Sequence, residues 1–396
     1  MSSTLLPPLW LIVLIVGLPQ LSETVYTPSL PDIAYSLQTS ASAVEYTLTI
    51  YLIGFAFGSL FWGRISDKFG RKPCVLIGLI IFIIGCVGCY FAPTIKILMI
   101  SRLIQAFGGS IGSVLGQAIC PDAFHGPSLG KVYSSTGSAL ALFPALGPII
   151  GGVIAEYLKW SNIFLFLVLF ALVLGVLVLT KLPETHHRDN RKILSSAKVA
   201  FSLIRDKKVI GFGIIVGGCN GILFSYFAEG SFYLIKGLGL SPSTYGSSFI
   251  LIASATLIGG ILSRKLHANH SSQEIMNRGL SITGIAATLF SVISLFHTIV
   301  YFSPYFMIIA TLFSQMSIAL GICMTTSNAL ALALVDYKGC IGTASSFFGF
   351  FYYCLISLFT LGMGWLHEGS LLVMPLYFLG ISVFMIGIKR IMIPNK

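Results

Sequence analysis

The sequence predicts an all-α integral membrane protein: twelve transmembrane helices in two six-helix bundles related by pseudo-two-fold symmetry. Three observations lead there. The composition is too apolar for an aqueous surface, the apolar stretches have spanning length, and the basic residues are distributed unevenly between the loops. Of 396 residues, 56% are hydrophobic and 9% charged, with a mean hydropathy of +0.91. Soluble domains carry about 25% charged residues, so this chain lacks the polar side chains to cover a globule in water. A helical span takes about 20 apolar residues, and the length accommodates a dozen spans with short loops. Strands of a membrane barrel would alternate apolar and polar residues, a pattern the chain does not show.

Hydropathy, punctuated by charge, proline and glycine, places spans near 8–30, 43–62, 73–92, 96–119, 131–156 and 161–180, and again near 209–234, 243–263, 278–297, 304–334, 341–364 and 371–388. The first apolar run has no basic residue before it and continues through Glu23, Pro28 and Pro31, so it reads as a retained first helix rather than a cleaved signal. On this map one side of the membrane collects Arg64, Lys68, Arg71, Lys72, Lys131, the basic residues from Lys181 to Lys208, and those of the later loops and the C-terminus. The other side receives Lys96, Lys159 and Lys236. Basic loops stay in the cytoplasm, which places both termini there, in a bacterial-type inner membrane. The formal net charge of +11 is therefore a topology signal, and no nucleic-acid partner is expected.

The hydrophilic stretch 181–208 divides the chain into bundles at 1–180 and 209–396. Its Ile193–Ile204 portion is amphipathic, as expected of a connector helix lying along the membrane surface. His186 and His187 are adjacent, point in different directions and have no thiolate or carboxylate at ligand spacing, so they read as solvated loop and no metal site is expected. The cysteines, Cys86 and Cys89 included, read as buried free thiols. An internal repeat is visible: residues 42–64 lie on 243–265 without a gap, at an offset of 201, with Gly58 on Gly259 and Arg64 on Lys265. Duplicated halves suit a transporter whose bundles rock about a midplane site.

The sharpest local signal follows the second span: Gly58-Ser-Leu-Phe-Trp-Gly63-Arg64-Ile-Ser-Asp67-Lys68-Phe-Gly70-Arg71-Lys72. It reads as a ten-residue hydrophilic turn, with Gly70 permitting reversal of the chain and Asp67 available to pair with cations or cap a helix. This segment resembles the signature between helices two and three of the major facilitator superfamily, with Gly63, Asp67, Gly70, Arg71 and Lys72 on the pattern. The resemblance implies that superfamily's fold and a gating latch that stabilises the outward-facing state.

Two further segments agree. Arg102 and Gln105 stand three apart inside the fourth span, so they share a helix face. An arginine at that depth costs several kcal/mol in lipid and must face the bundle interior. The segment resembles the superfamily's fourth-helix motif, whose arginine is linked to proton coupling. In the fifth span, Pro144, Gly147, Pro148, Gly151 and Gly152 combine broken backbone bonds with glycines that allow close helix approach. This is similar to the antiporter motif of drug exporters, except that Phe143 stands where a small residue is usual.

Finally, Tyr26-Thr-Pro28-Ser-Leu30-Pro31-Asp32-Ile33 and Tyr46-Thr-Leu48-Thr-Ile-Tyr51-Leu-Ile-Gly54 resemble the bicyclomycin and chloramphenicol resistance group of drug:proton antiporters. That group usually carries an acid two positions before the tyrosine. Here that position is Thr24, and the carboxylate is Glu23. One residue turns a helical side chain by about 100°.

A carboxylate in a dehydrated cavity can be protonated from one face and deprotonated from the other. The expected central cavity thus uses Glu23 and Glu229 as carriers of protons or of a cationic substrate, with Arg102 modulating them. Tyr26, Gln105, Asn220, Tyr226 and Asn328 are expected to supply polar and aromatic contacts, with Asp32 and Glu45 near the outer mouth. The function expected is a proton-coupled exporter of drug-like molecules, acting as a monomer without a cofactor. The alternative on the same fold is a dedicated metabolite or siderophore transporter, in either direction. A membrane enzyme would show clustered His, Asp or Ser near one face, and an ATP-driven pump a phosphate-binding loop; the sequence has neither.

Overall fold

The computed structural model describes residues 6–124, 127–185 and 196–393. Twelve helices in it are long and apolar enough to cross a membrane. The first span is interrupted: α1 (Leu9–Thr24), a 3-10 turn at Thr27–Ser29 and α2 (Leu30–Ser36). The first bundle continues with α3 (Ala41–Phe69), α4 (Arg71–Tyr90), α5 (Ile95–Ala123), α6 (Pro127–Tyr157) and α7 (Asn162–Lys181). A short α8 (Ser196–Arg205) leads to α9 (Lys207–Ser231), whose last turn widens to a π-helix over Phe232–Gly237. The second bundle ends with α10 (Pro242–Leu266), α11 (Ser272–Ile299), α12 (Pro304–Ala333), α13 (Ile341–Leu366) and α14 (Val373–Met392).

Every predicted span has its helix. The polar turn after the second span differs. The sequence reads as ten loop residues, whereas α3 runs on to Phe69 and Gly70 alone separates it from α4. Gly70 has φ +97°, a conformation that favours a residue without a Cβ. The polar residues before it form the last turns of α3, where Asp67 pairs with Arg71 and Lys68 lies over the Phe69 ring.

The duplication is carried in the packing. Gly58 of α3 lies against α5, where an added Cβ would meet the Phe107 carbonyl oxygen at 2.7 Å; Gly259 of α10 lies against α12, where a Cβ would meet the Leu320 carbonyl oxygen at 2.7 Å. The same offset of 201 joins Gly78, pressed by α4 onto Ile111 of α5, to Gly279, pressed by α11 onto Gly321 of α12. It also joins the N-caps Ser40 and Ser241, whose hydroxyls accept from the backbone of Ala43 and Thr244 at 3.2 Å each. Small residues allow close backbone approach between membrane helices, where dispersion rather than hydrophobicity drives association.

The two bundles meet along α3 against α13 and α6 against α10. Tyr353 of α13 packs at a tilt on Phe55 of α3 with ring centroids 4.5 Å apart, and Ser357 donates to the Thr49 carbonyl at 3.1 Å. On the outer shell, α7 leaves Leu165, Leu169, Leu172, Val173, Val176 and Leu179 exposed, as a lipid-facing helix must. In α8, Val199 and Leu203 are buried, while Phe201 and Ile204, also apolar, are exposed. His186 and His187, with the connector residues up to 195, lie outside the described residues.

Candidate functional site

The first cluster is built inside the first bundle around Arg102, which is 0% exposed. Its Nη1 donates to Gln105 Oε1 at 2.6 Å and to the Ser22 carbonyl at 3.4 Å. The guanidinium carbon lies 3.9 Å from the Tyr26 ring centroid and 4.2 Å from that of Tyr51. An arginine stacked between two aromatic faces, away from water, gains about 2 kcal/mol from each, which offsets part of its burial cost. Gln105 in turn donates to Cys86 Sγ at 3.1 Å, and Tyr26 shares a 3.3 Å hydrogen bond with Thr47. Glu23, 2% exposed, completes the cluster. It lies within electrostatic reach of Arg102 and of Tyr352 and Tyr353, which α13 brings from the second bundle. Its Oε1 has no hydrogen-bond partner.

The structure also shows what the one-residue shift does. Glu23 turns toward Arg102, while Thr24 donates to the Gln20 carbonyl at 3.1 Å and packs on Gly147 of α6. A carboxylate at position 24 would face α6.

The second cluster lies at the end of the molecule opposite the connector and spans both bundles. Glu229 of α9 accepts from His367 Nδ1 at 2.6 Å, just beyond the end of α13. Glu45 of α3 brings Oε1 to 3.2 Å from the same nitrogen. Glu45, expected near the outer mouth, is 0% exposed. The hydrogen bond to Glu229, then the close approach of the Glu45 carboxylate, hold the His367 imidazole protonated, its pKa pushed up to about 10 against the opposing effect of burial. A cavity of about 240 Å³ reaches the cluster, lined by Glu229, His367, Tyr233, Lys236 and Ser370 among others. Among the described residues these three are the group of metal-ligating type whose donor atoms converge, within 4.8 Å of one another. The sequence singled out Glu45 and Glu229 but did not join them. His367 was missed, and the signal available was charge balance: two acids near one membrane face need a cation, and few are at hand there.

The fifth-helix motif works by close approach. A Cβ at Gly151 would overlap the Val25 carbonyl oxygen, and one at Gly152 would press on the Pro242 carbonyl oxygen of α10. Reciprocally, Gly246 of α10 lies against the Pro148 carbonyl oxygen. Phe143, the departure from the motif, fills the space that Gly17 leaves open on α1. Pro144 and Pro148 sit inside α6 without ending it. Glu156 accepts from the Ser243 backbone at 3.0 Å, adding a polar tie between bundles at the same end as His367.

At the connector end, Arg71 gathers the gating turn. Its Nη1 pairs with Asp67 at 2.7 Å and bonds Ser66 at 2.7 Å, while Nε pairs with Asp122 of α5 at 2.8 Å. Glu184 accepts from the backbone N–H groups of Arg71 and Lys72 at 2.9 and 3.1 Å, a carboxylate at a helix N-terminus. Lys72 Nζ donates to the Leu179 carbonyl at 2.9 Å, and Gly63 faces Ser346 of α13. These bonds tie the turn within the first bundle. Asp122 and Glu184 are partners the motif alone does not reveal.

Other predicted residues stand apart from both clusters. Asn328 donates to Ser263 Oγ at 3.0 Å and to the Met324 carbonyl at 2.8 Å; it ties α12 to α10, and its amide N–H groups are used there. Asn220 donates to Val216 in its own helix at 2.9 Å. Tyr226 is fully buried against Phe249, with ring centroids 5.7 Å apart. Asp32 is exposed in the first turn of α2.

The sequence profile of the Major Facilitator Superfamily matches residues 12–361. The chain belongs to the major facilitator superfamily. Among relatives of this transporter, an "uncharacterized transporter" of Rickettsia bellii is 36% identical over 95% of this chain and 94% of its own length. A "bicyclomycin resistance protein homolog" of Haemophilus influenzae is 30% identical over 67% of each chain. "Multidrug resistance protein D" of Escherichia coli is 28% identical over 63% of this chain and 64% of its own. In fold, the transporter is similar to an inward-facing bacterial homologue of the human lysosomal transporter Spinster. The TM-score is 0.75 at 14% identity, covering 96% of this chain and 95% of that one.

Proposed function

We propose that this transporter exports drug-like small molecules in exchange for protons, by alternating access, as a monomer in the bacterial cytoplasmic membrane. The observation that carries the reading is the Glu23–Arg102 cluster: a buried carboxylate lacking a hydrogen-bond donor on one oxygen, held beside a guanidinium and turned toward the tyrosines of the other bundle. Such a carboxylate holds either a proton or a cationic substrate group. The competition between them is the coupling, with Arg102 stabilising the ionised form. Aromatic faces around it suit large apolar ligands. The relatives named for bicyclomycin and multidrug resistance support the substrate class.

The excess of basic residues at the connector end supports placing that end and both termini in the cytoplasm. The His367 end then faces outward. In the state described here the outer ends are drawn together, through α6 on α10 and through the Glu45–His367–Glu229 contact. Glu229, near the outer face, is the second proton-exchanging acid of this reading, and the Arg71 turn is the latch on the cytoplasmic side.

The test uses proteoliposomes with an entrapped pH-sensitive dye and a panel of cationic, neutral and siderophore-like compounds. Proton release that depends on compound and is lost in Glu23→Gln supports the reading. Transport that persists in Glu23→Gln without change in proton stoichiometry would remove Glu23 from it.

A further inference from the structure

The Glu45–His367–Glu229 contact contains an imbalance that neither the fold nor the superfamily motifs explain. Nδ1 of His367 carries one hydrogen, and it is given to Glu229 at 2.6 Å. Glu45, although 3.2 Å away and fully buried, makes an ion pair but no aligned hydrogen bond, and both of its oxygens lack a donor. Two carboxylates and one imidazolium also leave one negative charge over. The charged groups that face the imidazole are Glu45 from α3, Glu229 from α9 and Lys236 across the cavity on the π-helical turn, with Glu368, next in the chain, exposed; Phe232 supplies an uncharged ring 5.2 Å away. Lys236 disfavours a second cation in that cavity but does not hinder a proton held between the two acids.

We propose that Glu45, His367 and Glu229 form an inter-bundle proton-binding site that holds the outer mouth closed while protonated and releases it when the protons leave to the outside. Glu45 belongs to the first bundle and the other two to the second, so opening the outer mouth must separate them. With the imidazolium in place and one proton on the carboxylate pair, the site is neutral and each group has a partner. As the protons leave, like charges at close range push the bundles apart. The cavity supplies the path to the outer solution. Because Glu229 is one of the acids in the exporter reading, the site rests on that reading for its orientation and for its bearing on export. The closing and opening themselves do not require transport.

The sign follows from the imidazole. In the closed state its pKa is about 10, and in a hydrated open state it returns to about 6.5. Its contribution to closure is therefore complete below about pH 6.5 and is lost progressively as pH rises through about 10.

The experiment is a distance measurement between spin labels at Gln38→Cys and Tyr301→Cys, exposed positions outside the cluster on opposite bundles. Cys323, Cys340 and Cys354 are replaced by serine, and neither substrate nor gradient is present. The closed distance should dominate at pH 6.5, and its population should fall steadily toward pH 10. His367→Gln should flatten that dependence. Glu45→Gln, which removes the surplus charge, should raise the closed-to-open ratio at pH 9 by about tenfold. A closed population that does not change over this range in the unsubstituted chain overturns the proposal even if the variants fail to fold. An unaltered pH dependence in folded His367→Gln does the same. Closure that chelation with EDTA abolishes at neutral pH would show that a metal ion holds the site, and would also overturn it. Failure here leaves Glu23-dependent export standing, and failure of export leaves the distance titration interpretable.

Discussion

Gly151 of α6 lies so close to the carbonyl oxygen of Val25, just past the end of α1, that no Cβ fits between them. One residue on, Gly152 makes a similar approach to Pro242 in the other bundle. A single turn of α6 is thus pressed between its own bundle and its partner, at the end where the two bundles are drawn together.

Substituting alanine at either position should disturb that approach at a cost of about 1–3 kcal/mol. For Gly152→Ala the cost falls on the closed state, so we expect the spin-label distance to shift toward the open population and transport to drop at least several-fold. Gly137→Ala in the same helix, with open space around it, is the matched control and should change neither.

Arg102 has a guanidinium-specific environment, with a bond to Gln105 and two ring faces. Arg102→Lys keeps the charge but loses the planar group that stacks on the rings. Thermal unfolding in detergent should show Arg102→Lys less stable than the unsubstituted protein and Arg102→Ala less stable again. Removing one partner of a buried charge pair costs about 3–5 kcal/mol. Equal melting temperatures for all three would mean that Arg102 carries no such burden.

The double variant Glu23→Thr/Thr24→Glu preserves composition and moves the carboxylate around the helix by about 100°. It should lose substrate-dependent proton release in proteoliposomes, because position 24 faces Gly147. Retained coupling would show that either position reaches the same cavity.

Asn328 provides the opposite case. Its amide joins α12 to α10 at Ser263, so Asn328→Ala should lower stability by about 1–2 kcal/mol while leaving the substrate profile unchanged. A changed profile at unchanged stability would place Asn328 in the substrate path.

Loss of Arg71 should show as stability rather than specificity. Arg71→Ala leaves Asp67 and Asp122 without their shared cation. Because Asp67 is largely exposed, most of the cost comes from Asp122, and we expect a melting decrease of a few degrees with the substrate range intact.

Some of this architecture was legible in the residues because its causes are local. Span length follows from bilayer thickness, and the twelve apolar stretches became the twelve spanning helices. The repeat at an offset of 201 was visible as Gly58 over Gly259, and it reappears as matching approaches to α5 and α12. Arg102 had to turn inward, because lipid offers its charge no partner, and it did. Gly70 was read correctly as the reversal point, but the turn around it was drawn too long. The charges of Asp67 and Lys68 suggested loop, whereas both stand in the last turn of α3, Asp67 paired with Arg71.

By itself, the sequence determined the class, the number of spans and the duplication, and it put Glu23, Arg102 and Glu229 on segments of spanning length. Each follows from the cost of placing a given side chain in hydrocarbon, which depends on the residue and its depth alone. Only the tertiary structure decided which charges meet. Glu45, Glu229 and His367 are far apart in sequence and belong to different bundles. Their contact depends on how α3, α9 and α13 are rotated about their axes, and that rotation is set by glycine contacts and ring packing distributed over the whole interface.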